Sequence, residues 1–225
     1  MATSPLFDPR QIPVAGVDAH LPSPAPASLE AQAIAARFAR QHVWTPELRK
    51  EDRFVEERAP VHASVLIGLV QRERLQVLLT LRPLHMNSHS GQIAFPGGKA
   101  DAGDADAVAT ALREAQEEVG LEPQWVQVLG TLPVYTTGSA FIVTPVVALL
   151  RPGFVLQANA EEVAEIFEVP LDFLMNPANH RHHVHHWNGA QRNWLSMPYQ
   201  DGGTERFVWG ATAGILRNFY RFLLD

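Results

Sequence analysis

Three glutamates constrain this chain more than any other feature. Glu114, Glu117 and Glu118 stand at i, i+3 and i+4, a spacing that puts all three on one face of a helix. Leu112, Ala115 and Val119 fall on the opposing face, where they can pack against a sheet. Like charges so placed repel and weaken a helix unless a cation compensates them. Arg113, four residues before Glu117, is one such partner. A divalent cation is another, because Mg²⁺ takes carboxylates together with waters and substrate phosphates. Upstream, Pro96-Gly97-Gly98 gives the backbone conformations closed to other residues and lets it approach a ligand. Phosphate oxygens and a metal can then meet between loop and helix. A glutamate pair alone more often marks a solvated face. The ordered set of Gly-Gly loop, helix, Arg-Glu, Glu-Glu and closing Gly120 favours the metal.

Around this stretch the pattern is mixed. Two β-rich runs, 61–70 and 75–81, flank charged residues 71–74 and suggest a hairpin. The glutamate helix is expected over 104–119, with Gly120 at its C-terminal end. Further strands are expected at 125–132, 141–150 and 163–169, with a short helix at 170–175. Residues 184–187 and 193–199 suit strands that pair across Asn188-Gly189. A last helix over 211–224 carries Ile215, Leu216, Phe219, Phe222 and Leu223 on one face, an aromatic stripe read as core. Such alternation indicates an α/β layered domain. Residues 1–27 are rich in Pro, Ala and Ser and read as an extended arm or linker. A helix capped by Ser28 is expected over 28–42, with Ile34 and Phe38 on its apolar stripe, and 43–60 reads as a connector. The division is an N-terminal arm and helix, 1–58, before a domain at 59–225.

The 225 residues are 46% apolar, enough for one buried core, and carry a net charge of −6. That charge argues against wholesale nucleic-acid binding, yet leaves room for a small phosphate compound held through a metal. With no cysteine, disulfides, thiolate metal sites and Cys nucleophiles are excluded. The first residues lack a signal-peptide pattern, and no apolar run reaches the roughly 18 residues of a membrane span. A cytoplasmic setting is expected.

Residues 98–121 resemble the Nudix box, G-x5-E-x7-R-E-U-x-E-E-x-G-U, where U is apolar. Arg113 to Leu121 match every specified position, with Ala115 as the small apolar residue. The first half departs. Strict spacing back from Arg113 puts Ala105 at the acidic position and Lys99 at the glycine. Aligning Gly98 instead puts Asp104 there, with one extra residue, and Asp104 is read as capping the helix. Upstream, Leu78 to Arg82 and His89 to Lys99 are similar to the signature of the coenzyme A pyrophosphatase branch, although Asn87 stands where relatives often carry a basic residue. The likeness continues at Glu161-Glu162-Val163, Pro170-Leu171 and Trp209 to Ala213, and spans roughly 60–222.

The resemblance implies a Nudix-type α/β/α sandwich with a mixed β-sheet. It also implies metal-dependent hydrolysis of a nucleoside diphosphate linked to another moiety. In this branch that means coenzyme A or acyl-coenzyme A, cut to adenosine 3′,5′-bisphosphate and a 4′-phosphopantetheine species. By position, Glu114, Glu117 and Glu118 hold Mg²⁺ or Mn²⁺, and Arg113 orients a helix carboxylate, Glu117 first. Glu162 is the candidate base and Glu161 the second choice, with plain surface charges an equal alternative. Arg82 meets a substrate phosphate or forms a salt bridge at a strand end. Lys99 beside the Gly97-Gly98 loop faces phosphate or solvent. The partner is a small nucleotide of coenzyme A type rather than nucleic acid or membrane. The arm either joins two chains as a homodimer or covers the site. Two rivals stay open. One is a different nucleotide, such as ADP-ribose or a dinucleoside polyphosphate. The other is a nucleotide-sensing module with little catalysis, against which the intact glutamates count. The histidines His180, His182, His183, His185 and His186 read as a solvent-facing strand before an adventitious Zn²⁺ site, and Trp187, Trp194 and Trp209 as packing residues.

Overall fold

The computed structural model describes residues 8–40, 43–47, 50, 59–85, 90–187 and 190–224. In chain order these form β1 (Val14–Val17), α1 (Ala31–Ala39), β2 (Val61–Val70), β3 (Gln76–Leu81), β4 (Ile93–Ala94) and β5 (Gly97–Lys99). Then come α2 (Ala107–Val119), β6 (Val126–Thr131), β7 (Tyr135–Thr136), β8 (Phe141–Leu150), β9 (Glu165–Pro170) and α3 (Leu171–Leu174). The second sheet's β10 (Arg181–Trp187), β11 (Ala190–Asp201) and β12 (Thr204–Trp209) lead into α4 (Gly210–Leu224).

The centre is a parallel pair, β2 beside β8, in register from Val61 opposite Phe141 to Val70 opposite Leu150. Both strands read as near-continuous apolar runs because both faces are covered, as in buried parallel sheets. On one face Leu66, Val70, Leu78, Val146 and Leu150 pack with Ala111, Ala115 and Val119 of α2. On the other, Ile67, Leu69, Val77, Val147 and Leu149 meet Ile34 of α1, Leu216 and Phe219 of α4, and Met197 and Val208 of the second sheet. Each such side chain contributes about 1.5–3 kcal/mol on full burial. The main sheet is mixed, ordered β4-β3-β2-β8-β6, with β5 on β2, β7 on β8 and β9 on β3. Helices on both faces of a mixed sheet are the layering expected from the sequence.

The cap of the glutamate helix falls two residues later than expected, at Asp106 rather than Asp104. Asp106 is the N-cap, accepting from the Ala109 N–H at 2.8 Å, and Asp104 is turned to a different partner described below. The far end is as read: Gly120 adopts the left-handed conformation, φ 69°, and its N–H meets the Ala115 and Gln116 carbonyls. Ser28 does not cap α1 either. It lies in a 3-10 turn, Pro26–Leu29, and Glu30 occupies the cap position without a side-chain bond.

The second sheet is antiparallel, ordered β1-β10-β11-β12. The expected β10–β11 pairing is present, closing at Trp187 opposite Ala190, and Asn188 and Gly189 between them lie outside the described residues. β12 was not expected. Its signal was Gly202-Gly203, both at positive φ (53° and 96°), a Gly-Gly turn of the hairpin kind. β1 comes from the Pro/Ala-rich arm, which joins the fold by pairing Val17 with Arg181.

The histidine tract is not a solvent-facing strand throughout. His183 is buried, its ring stacked on Trp194 at 5.5 Å. Its Nδ1 faces the Ile12 carbonyl at 3.0 Å and must donate, so Nε2, 2.8 Å away, accepts from the Ser196 hydroxyl. His180 is 0% exposed. Arg217 donates to its Nδ1 at 2.9 Å, leaving Nε2 to donate to the Leu174 carbonyl at 2.7 Å. Among the described residues no three His, Asp or Glu side chains in the tract or elsewhere are grouped to hold a metal ready-made. The Trp187 side chain lies outside the described set. Trp194 and Trp209 pack edge to face, centroids 6.3 Å apart.

Burial, followed by the charge of Arg217, lowers the His180 pKa from 6.5 to about 4. The unfolded chain takes up this proton near 6.5 and the native chain only near 4. Stability is therefore complete above about pH 6.5 and is lost as pH falls toward 4, by up to about 3 kcal/mol. Urea melts should show a lower midpoint at pH 5 than at pH 7.5. His180→Asn should narrow that gap, and an unchanged gap would remove His180 as its source.

Candidate active site

Three segments meet at the N-terminal half of β2. Antiparallel pairing puts Gly97 opposite Val65 and Gly98 opposite Ser64. A Cβ on Gly97 would come within 2.6 Å of the Val65 Cα, so only glycine allows this approach. A Cβ on Gly98 would collide with the Glu114 carboxylate. The two glycines thus let the loop lie directly against α2.

Glu118 points inward from α2 and is 2% exposed. Its Oε2 accepts from the Gly97 N–H at 3.0 Å, and its Oε1 lies 3.8 Å from Arg82 Nη1. Burial raises its pKa from 4.5 to about 7. Gly97 and Arg82 oppose the rise, and the charges of Glu114 and Glu162 add to it. Glu114 is also pushed up, first by burial and further by Glu117 and Glu162, against the pull of Arg113. Glu162 is half-buried and near enough for its charge to act on both.

Arg113 is the counterweight. It donates from Nη1 to Glu114 at 2.9 Å and to Glu117 at 3.0 Å. It grips Asp104 with Nε and Nη2 at 3.0 and 2.9 Å, and reaches the Lys99 carbonyl from Nη2 at 3.0 Å. This pairing holds Asp104 far below the usual carboxylate range and raises the guanidinium. Asp104 therefore anchors Arg113 to the loop. Its role is fixed by a side chain nine residues away, which helix-capping rules do not reveal.

The fold brings Arg82, Gly97, Gly98, Arg113, Glu114, Glu118 and Glu162 together. Glu117 joins through Arg113 with its side chain 55% exposed. Lys99 participates through its carbonyl while its side chain faces solvent, and Glu161 is exposed. Asn87 lies outside the described residues. Sequence reading missed Asn159. Its N–H donates to the Glu118 carbonyl at 2.9 Å, and its own carbonyl accepts from Glu162 and Val163 at 3.0 and 2.8 Å. It lies in a loop without periodicity, where spacing carries no signal.

The donor set suits a hard divalent cation. Glu118 is a buried carboxylate with one hydrogen bond and one distant cation. Glu114 rests in a space that exists only because residue 98 lacks a Cβ. Among the described residues Glu114, Glu117 and Glu118 are not gathered into a ready-made cage.

A NUDIX domain model matches residues 60–188. The chain is 46% identical over 156 residues to an uncharacterized Nudix hydrolase NudL of Enterobacter sp. (strain 638), covering 69% of this chain and 79% of that one. It is 45% identical over the same length to its namesake in Salmonella newport (strain SL254), with the same coverage. A crystal structure of a MutT/nudix family protein from Enterococcus faecalis is 14% identical, with a TM-score of 0.49 over 87% of this chain and 75% of that one. The chain belongs to the Nudix family, and its activity is that of a pyrophosphohydrolase. Hydrolases of this family generally need a divalent metal. No described helix is long and apolar enough to cross a membrane.

A carboxylate whose folded pKa is raised destabilises the native state increasingly from pH 4.5 upward, with the full effect above about 7. In chelator at pH 8, Glu118→Gln should therefore melt above the wild type, by up to about 3 kcal/mol in stability. At pH 5, where the wild-type carboxyl is mostly neutral, the advantage should disappear. An equal advantage at both values would show that Glu118 is not charged at pH 8.

Proposed function

We propose that this chain hydrolyses the pyrophosphate of coenzyme A or acyl-coenzyme A with Mg²⁺ or Mn²⁺, in the cytoplasm, giving adenosine 3′,5′-bisphosphate and the (acyl-)4′-phosphopantetheine. One observation carries the reading. The two upstream stretches that resemble the coenzyme A branch meet the box glutamates in space: Arg82 lies 3.8 Å from Glu118, and the Gly97 N–H bonds its carboxylate. Arg82 Nε is buried and has no hydrogen-bond partner among the described residues. A donor left unsatisfied there fits an anionic ligand better than a finished salt bridge.

Glu114, Glu117 and Glu118 are the proposed ligands. The bound ion neutralises phosphate charge and acidifies the attacking water. Glu162 takes the proton as the water oxygen bonds to phosphorus and the bond to the bridging oxygen breaks. Arg82 binds a non-bridging oxygen, the glycines let the phosphate approach the backbone, and Lys99 offers a cation at the rim. Arg113 holds Glu114 and Glu117 without touching substrate.

Free coenzyme A, acetyl- and longer acyl-coenzyme A, ADP-ribose, NADH and a diadenosine polyphosphate should be offered side by side with each metal, and products weighed by mass. Adenosine 3′,5′-bisphosphate should form fastest, from a coenzyme A species. Faster cleavage of another nucleotide would retain the metal site and reject the substrate class. Nucleotide binding without cleavage would leave the sensing module. Glu117→Gln, at a half-exposed position, should lower kcat by orders of magnitude with an unchanged melt. Near-normal turnover would reject Glu117 as a ligand.

A further inference from the structure

Arg206 stands on β12 in the second sheet, yet its partners lead to the active site. Its Nη1 and Nη2 donate to the two oxygens of Glu165, each at 2.6 Å. Its Nε and Nη2 donate to Asp201 Oδ2 at 3.0 and 2.9 Å. The guanidinium carbon lies 4.2 Å from the centroid of the Phe167 ring, and the side chain is 9% exposed. A two-bond fork on one carboxylate, covered by an aromatic face, fixes direction as well as distance. Loose surface ion pairs do not.

Glu165 is the residue so fixed. It opens β9 opposite Leu81, the last residue of β3. The preceding Ala164 donates to the Leu81 carbonyl at 2.8 Å. Three residues before Glu165 is Glu162, in a turn whose other end is tied to α2 by Asn159. The turn is thus held on one side by the glutamate helix and on the other by the start of β9. Apolar packing of Phe167 and Val169 secures the later part of that strand. Among the described residues, the Arg206 fork is what holds its first side chain.

We infer that Arg206, through Glu165, is a positioning residue for hydrolysis, fixing the turn that holds Glu162 against the α2 carboxylates. This rests on the reading of Glu162 as the base. The second sheet then serves the chemistry, because a displacement of about 1 Å in a reacting group can cost about a hundredfold in rate.

The test is a double-mutant cycle on the full chain with saturating metal. Arg206→Gln should lower kcat about tenfold or more while KM stays within about twofold. Amide exchange at Val163 and Ala164 should quicken, a change read without turnover. In the Glu162→Gln background the same substitution should lower kcat no further, because its effect runs through the missing carboxylate. An equal loss in both backgrounds, or wild-type turnover in Arg206→Gln, overturns the inference. Glu162→Gln alone tests the underlying reading: near-wild-type turnover there removes Glu162 from the chemistry, and the inference with it. Should Arg206→Gln fail to fold, Glu165→Ala opens the fork from its half-exposed side and carries the same expectations.

Discussion

Arg113 shares one guanidinium among Asp104, Glu114, Glu117 and a backbone carbonyl, and the site depends on how that charge is distributed. A helix with three carboxylates on one face is unfavourable by itself. Arg113 makes it possible without a metal by taking two of the three and by binding the preceding loop through Asp104. It does not reach Glu118. The third carboxylate is instead buried against Gly97, with Arg82 at the edge of useful distance. Uncompensated charge is therefore concentrated at the inner end of the helix face, where a small hard cation gains most.

Burial of Glu118 follows from the same packing that builds the core. Ala115 and Val119, its neighbours on α2, lie on the sheet among Leu66, Leu78 and Val146. The helix cannot rise to solvate Glu118 without losing those contacts. A buried, poorly paired carboxylate opposes folding. The apolar face of α2 and its two capping residues, Asp106 and Gly120, hold it in place. Under the proposed assignment of Glu118 as a metal ligand, the free energy given up there would become affinity for the cation, because an ion relieves the cost of burial as well as attracting the charge.

Much of this could be read from the residues. The glutamate spacing, the Gly-Gly loop, the closing Gly120 and the strands β2 and β8 follow from periodicity and turn chemistry acting within a few residues. The Arg113–Glu117 pair, four apart, was equally legible. Pairings across the fold were not. Asp104 has the composition and place of a helix cap, and what removes it from that role is a guanidinium arriving from the second turn of α2. His183 alternates as a surface strand residue should, yet β1 and Trp194 cover it, and β1 comes from a segment whose prolines suggested a linker. For Arg82, read as meeting a phosphate or forming a salt bridge, an ion pair with Glu118 is present but long, and among the described residues its Nε has no partner. No local rule distinguishes that state from a completed pair.

The box is therefore only part of the machine. It supplies the helix face, its guanidinium and the loop glycines, all within about one supersecondary unit. Arg82, proposed to meet phosphate, comes from the end of β3, and the candidate base from the turn before β9. That turn is tied to α2 by Asn159 and to the second sheet by Arg206. Since β3 and β9 are ladder partners, a displacement of the two strands as a unit would carry Arg82 and Glu162 together, keeping their relation to each other while losing both against α2. The antiparallel ladder is thus a better guard of the relation between Arg82 and Glu162 than of their distance to the α2 glutamates. The latter falls to the contacts between α2 and the turn before β9, Asn159 on Glu118 among them, which is where substitutions outside the box should have the largest effect on turnover.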